Sequence, residues 1–251
     1  MTFCEQYSQF ETPLVLVDIG SKGGVDPRWK AIQNMEVHCF DPAGDGHDAY
    51  ISGQTGKRTL YHTKLPLSTG FYKTNMAFFG RLLNSKNGEV VREEEVDTLS
   101  FEDARKKFNI PPPDFIKLDV EGAELDILRG ANLSETFGIL TEVRFHKEIN
   151  GCPTFSDIDR FLTSKGFMLY KLWTGSQSRK DKPYPTTPFL YEGEAFYGAT
   201  DGGQVMDGDA LYLRDPMRLK LDHQQLIKIL CMLEVWDLMD CAEEIHLRGV
   251  I

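Results

Sequence analysis

Four carboxylates in this 251-residue chain stand where an α/β protein concentrates its chemistry: Asp18, Asp41, Asp119 and Glu142. Each closes or follows an apolar stretch (residues 14–18, 35–40, 115–119 and 138–144) whose length and composition predict a strand of a buried sheet. Ligands of open α/β sheets sit beyond the carboxyl ends of the strands, near the point where strand order reverses, so the four acids are expected to line one rim. Such a rim repels phosphate and suits a ligand that combines positive charge with hydroxyl groups.

The loop after the first of these strands narrows the choice. It reads VDIGSKGGVD over residues 17–26 and lacks the Gly-Lys-Ser/Thr ending of a P-loop. Lys22 stands where the dinucleotide fingerprint needs glycine, which makes a nicotinamide-dependent oxidoreductase the weakest reading. S-Adenosylmethionine carries a sulfonium, an ammonium and two ribose hydroxyls, and the rim offers partners for them. Asp18 is expected to orient the loop or accept from the amino-acid end, and Gly20 and Gly24 to let the backbone approach the cofactor. Asp41 follows the loop by about 20 residues, the interval at which Rossmann-like folds place the acceptor for ribose hydroxyls. Ser21 and Ser52 complete the expected cofactor set. The plainer reading of Asp18 is a loop-bracing or helix-capping carboxylate, and of the glycines, turn chemistry alone.

A longer signal lies further on. VDTLSFEDARKKFNIPPPDFIKLDVEGAELDILRGA, residues 96–131, together with LVDIGSKGGVD, CFDP and ILTEVRFHKE, resembles the signature of the FkbM family of S-adenosylmethionine-dependent methyltransferases. IKLDVEGAE is its distinctive core. The resemblance implies a class I methyltransferase fold and methyl transfer, in many members to a hydroxyl of a sugar or other natural-product intermediate. An alternative keeps the fold as a non-catalytic binding module in a biosynthetic assembly, and cofactor turnover separates the two.

Methyl transfer from a cationic sulfur is an in-line displacement governed by how the acceptor is positioned. A hydroxyl acceptor must also lose a proton to a carboxylate or imidazole within hydrogen-bond reach. Asp119, Glu121, Glu142 and His146 are the candidates, with Asp119 and Glu142, on the second half of the sheet, expected to serve the acceptor. Glu142 has an alternative as ion-pair partner of Arg144 or Lys117, and His146 as a structural loop histidine. His62 reads as structural, and Glu124 as an acid favoured by the first turn of its helix. The oxygen ligands would also suit magnesium, although nothing in their spacing requires a metal.

The elements that must position these residues alternate. Asp26-Pro27 opens a helix after the first strand, residues 49–52 form a short third strand, and 57–63 and 89–91 are extended. Ser100 caps a helix that the prolines at 111–113 end; 122–129 and 154–165 are helical, the latter with Thr154 and Asp157 as capping pair. Residues 167–173 and 210–214 are expected to pair as an antiparallel edge. The order predicts a doubly wound, mostly parallel sheet of the Rossmann-like class. Residues 1–214 form that domain, with an inserted flap or disordered insertion at about 175–208, and 215–251 a helical extension packed on it. The flap carries Tyr184, Phe189, Tyr191, Phe196 and Tyr197, a composition suited to stacking on a sugar ring. Residues 222–248 are predicted as one helix stopped by Gly249; a homodimer through it is the alternative use of its apolar face.

A formal charge of −10 disfavours nonspecific affinity for nucleic acid or anionic membranes and leaves a small-molecule or saccharide acceptor. Five scattered cysteines without a C-x-x-C pair read as reduced thiols. The amino-terminal residues lack a leader pattern and no stretch is apolar enough to span a bilayer, so the expected compartment is the cytoplasm.

Overall fold

Apolar runs and helix caps along the chain resolve, in a computed structural model, into a central sheet covered on both faces. The structure describes residues 2–7, 10–21, 24–42, 44, 46–181, 183–186 and 188–247; Lys22, Gly23, Arg248 and Gly249 lie outside them. Helix α1 (Phe3–Tyr7) precedes strand β1 (Leu14–Ile19). A 3-10 turn, Pro27–Ala31, follows, with Pro27 at its first position and the Asp26 carboxylate accepting from the Arg28 N–H at 2.9 Å. Then come β2 (Met35–Phe40), β3 (Tyr50–Ser52), β4 (Gly56–Thr63), α2 (Met76–Phe79), β5 (Val90–Ser100) and α3 (Phe101–Phe108). They lead to β6 (Phe115–Leu118), α4 (Glu124–Gly130), β7 (Gly138–Arg144), α5 (Phe155–Ser164) and β8 (Phe167–Gln177). The chain continues through β9 (Phe189–Tyr191), β10 (Glu194–Phe196), β11 (Gln204–Arg214), α6 (His223–Val235) and α7 (Met239–Leu247).

Six strands form the central sheet in the order β2-β1-β6-β7-β11-β8. The first four run parallel, and β11 is antiparallel to both β7 and β8. This is the expected mostly parallel, Rossmann-like sheet with an antiparallel edge and a helical C-terminal extension. From β1 the chain moves outward to β2 on one side and later to β6 on the other, so strand order reverses beside β1. β1 is buried along its whole length and divides its side chains by the period of two. Leu14 and Leu16 join the core that contains α6, while Val15, Val17 and Ile19 join the core built with α3, α4 and α5. The buried Lys228 of α6 donates to Asp114 at 3.0 Å and to the Pro13 carbonyl at 2.8 Å, tying that helix to the entrances of β1 and β6.

Three expectations change. The third strand does not extend the central sheet: β3 pairs parallel with β5 and β4 antiparallel with β5, in a sheet of their own. A parallel neighbour in the central sheet needs a crossover, and among the described residues of the short 41–49 connection there is no helix to supply one. The single C-terminal helix is two. Asp237 takes the left-handed conformation (φ 53°), the Leu238 N–H reaches the Leu233 carbonyl at 2.8 Å, and that of Asp237 reaches Glu234 at 2.9 Å. This Schellman end is invisible to periodicity because Leu233, Trp236 and Leu238 on either side of it are all buried. The 175–208 region is shorter as an excursion than expected, since β8 and β11 stay paired out to Gln177 and Gln204 and the small β9-β10 hairpin fills part of the remainder. Lys182 and Thr187 of that region lie outside the described residues.

Candidate active site

β6 places a lysine inside the sheet, and a cation in an apolar strand must be paired. The Lys117 ammonium lies 3.3 Å from Asp18 and 3.4 Å from Asp119, and it donates to the Gly20 carbonyl at 3.0 Å. One side chain thereby clamps the ends of β1 and β6. Burial works against the ammonium, but Asp119 and Asp18 outweigh it and raise its pKa. Burial pushes the Asp18 carboxyl up, with Lys117 opposing. Gly20 sits at φ +82°, and a β-carbon there would lie 1.8 Å from the Asp119 carbonyl oxygen. The close approach that demands glycine is therefore strand to strand. Gly20→Ala is expected to cost roughly 2–4 kcal/mol in urea unfolding, from strain and overpacking together; an unchanged midpoint would show that the turn relaxes freely.

Beyond these strand ends opens a cavity of about 490 Å³, whose lining includes Gly20, Asp41, Tyr50, His62, Asp119 and Glu121. Phe40, Pro42, Ala49, Ile51 and Phe71 add apolar wall. An apolar slot edged by carboxylates suits a ligand with an aromatic base, hydroxyls and a positive charge. His62 is held by Glu94 at 2.8 Å and by Arg92 at 2.8 Å. A smaller cavity of about 280 Å³ takes in Asp18, Gly24, Lys117, Asp119 and Trp236, so Asp119 borders both. Gly24 has open space where a β-carbon would stand. Ser21 and Ser52 are buried and line neither cavity; the Ser52 hydroxyl donates to the Gln54 carbonyl at 2.8 Å and meets Thr98 at 3.2 Å.

A second cation organises the other carboxylates. Arg144, buried near the end of β7, reaches Glu121 at 2.5 Å, Glu142 at 2.7 Å and Glu148 at 3.3 Å. One oxygen from each of Asp119, Glu121 and Glu142 lies within 4.8 Å of the others, a set that could serve a hard divalent ion, yet Glu121 and Glu142 already spend oxygens on Arg144. One guanidinium cannot neutralise this many acids, so burial, against Arg144, raises the Glu121 and Glu148 carboxyls to about 7 and lifts Glu142 well above its ordinary value. Glu121 adopts φ 56°, a left-handed conformation that costs a non-glycine residue about 1 kcal/mol or more and here turns its carboxyl into the cluster. Glu124 uses its carboxylate structurally, accepting from the Val120 and Gly122 N–H groups at 3.0 and 3.1 Å.

The structure thus brings Gly20, Asp41, Asp119 and Glu121 to one cavity, with Asp18 and Glu142 directly behind through Lys117 and Arg144. His146 stands apart: it bonds the Val205 carbonyl at 3.1 Å and Gln204 at 2.8 Å, stacks on Phe78, and lines neither cavity. Lys117, Arg144 and Glu148 were not among the expected site residues. A signal for two of them exists, since Lys117 stands two residues before Asp119 at the end of its strand, and Glu142 and Arg144 stand two apart on one strand and so project to the same face.

Among the described residues no helix is long and apolar enough to cross a membrane. No curated protein matches the chain. Residues 33–169, more than half of its length, match the model of the methyltransferase FkbM domain, a span that runs from the approach to β2 through β8's first residues and includes Asp41, Asp119, Glu121 and Glu142. With the sheet order and the strand-end cavity, that match assigns the chain to the FkbM family of S-adenosylmethionine-dependent methyltransferases.

Proposed function

We propose that the chain transfers the methyl group of S-adenosylmethionine to a hydroxyl of a saccharide or a related small biosynthetic intermediate. The observation that carries this reading is Glu121: a strained carboxyl, raised to about 7, on the wall of the same cavity as Asp41 and Asp119. A base with that pKa accepts a hydroxyl proton at neutral pH without being permanently charged. The cofactor supplies an activated methyl group on a cationic sulfur. Asp41 would hold its ribose hydroxyls, and Phe40, Pro42, Ala49 and Ile51 would enclose its base. Asp119, steadied by Lys117, would face the positive sulfur or the acceptor. Glu121 takes the acceptor's proton, and Arg144 positions it.

Calorimetry with S-adenosylhomocysteine tests the cofactor half of the proposal. Binding is expected, with Asp41→Ala weakening it by roughly 1.5–3 kcal/mol, the scale of hydrogen bonds to a charged group. Binding of NAD in place of either adenosyl ligand would refute it. The acceptor half is tested by methyl transfer to hydroxylated saccharides, with the product's methyl ether identified by mass spectrometry.

A further inference from the structure

A third cavity, of about 570 Å³, is built wholly from segments outside the central sheet, and its charge is opposite to that of the acidic rim. Lys64, Lys86 and Lys180 line it with Asn84 and Tyr197, and Glu194 is the one carboxylate among its lining residues. On a chain of formal charge −10 such a convergence is notable, because no described carboxylate lies within ion-pair distance of any of the three ammonium groups. Lys180 spends one hydrogen on the Gly80 carbonyl at 2.7 Å. Asn84 brings a buried Oδ1 that lacks a hydrogen-bond partner.

The walls are pinned to one another. The Lys180 N–H reaches the Arg81 carbonyl at 3.2 Å, and that of Leu83 reaches Ser178 at 2.9 Å, stitching the segment after α2 to the segment after β8. Arg81 and Arg179, on this same ladder, both lie over the Phe78 ring and add to the positive field. Lys64, Lys86 and Lys180 are exposed, so their combined attraction for an anion is strongest at low salt. The loop at 64–70 joins this cavity to the candidate active site, since Lys64 lines the one while Pro66, Leu67, Thr69 and Gly70 line the other. The segment between them is also fastened to the Arg144 cluster, where the Asn75 N–H reaches the Glu148 carbonyl at 2.7 Å.

We infer that this cavity binds the phosphate or pyrophosphate group of a phosphorylated acceptor whose hydroxyl is presented to Glu121. Three point charges match an oxyanion that carries several charges and more than two acceptor oxygens better than they match a lone carboxylate. The volume far exceeds a phosphate and leaves room for an attached ring against Tyr197. The acidic rim, which repels phosphate, then makes sense as the place for the cofactor and the reacting hydroxyl alone. This inference rests on the proposed acceptor chemistry, and its test is independent of methyl transfer.

Inorganic pyrophosphate, titrated calorimetrically into the full chain at low salt, should bind saturably. Lys64→Gln, Lys86→Gln and Lys180→Gln should each weaken it about tenfold, the change expected on losing one charge-assisted hydrogen bond, and the triple variant should abolish it. S-Adenosylhomocysteine affinity should not change in any of them. Absence of pyrophosphate binding, or wild-type binding by the triple variant, overturns the inference, as does binding only to phosphatidylcholine vesicles that carry phosphatidic acid. If pyrophosphate binds as expected and S-adenosylhomocysteine does not, the anion site stands and the proposed cofactor chemistry falls.

Discussion

Glu121→Gln is expected to lower methyl transfer by roughly 10²- to 10⁴-fold while S-adenosylhomocysteine affinity stays within a few-fold, the range associated with loss of a general base. The substitution keeps the size of the side chain and its contact with Arg144 and removes only the proton-accepting charge. Glu142→Gln is expected to be much milder. Glu142 does not line the cavity, so it bears on the reacting hydroxyl only through its contact with Arg144, which the amide oxygen can keep. The pH profile separates this from a structural effect. Because only the carboxylate accepts a proton, wild-type kcat should rise as pH passes through about 7 and level off above it, and the glutamine variant should lose that limb. Wild-type turnover in Glu121→Gln, or retention of the limb, would move the base elsewhere and leave catalysis to positioning.

Arg144→Leu should be the most destabilising change in the site, by about 3–5 kcal/mol at neutral pH, because it leaves the buried Glu148 and the half-buried Glu121 and Glu142 without their cation. Its size should depend on pH, with a definite sign. Glu121 and Glu148 have folded pKa values raised to about 7 from an ordinary 4.5, so the folded chain binds more protons than the unfolded chain between those values. Their contribution to stability is therefore full below the unfolded pKa and is lost as pH rises through the folded one. Without Arg144 the folded values climb further, and the loss with rising pH becomes steeper. Urea unfolding at about pH 5 should bring the variant close to the wild type, while at about pH 7.5 the gap should be widest. Addition of Glu121→Gln and Glu142→Gln to the Arg144→Leu background should recover much of the neutral-pH stability. An equal loss at both pH values would mean that Arg144 acts through packing and not through charge.

The local grammar of the chain determined the elements that carry the site. β7 occupies the predicted 138–144, α5 begins at the predicted Thr154–Asp157 capping box, and Ser100 caps α3 by accepting from the Asp103 N–H at 3.1 Å. Periodicity, caps and the composition of buried strands are short-range properties, and with the motif around IKLDVEGAE they were enough to establish class, family and the rim on which the acids gather. Which acid faces the cavity was a different matter. Asp119, Glu121 and Glu142 were indistinguishable as carboxylates in a line of sequence; Arg144, bonded to two of them, and the left-handed turn at Glu121 set them apart only once β6 and β7 lay side by side. The same holds for Gly20, whose need for glycine comes from the Asp119 carbonyl 99 residues away in the chain, and for the lysine-lined cavity, whose walls come from four separate stretches of chain. Burial, and with it every raised pKa, depends on neighbours distant in sequence, so charge could be read from the residues but the strength of each charge could not.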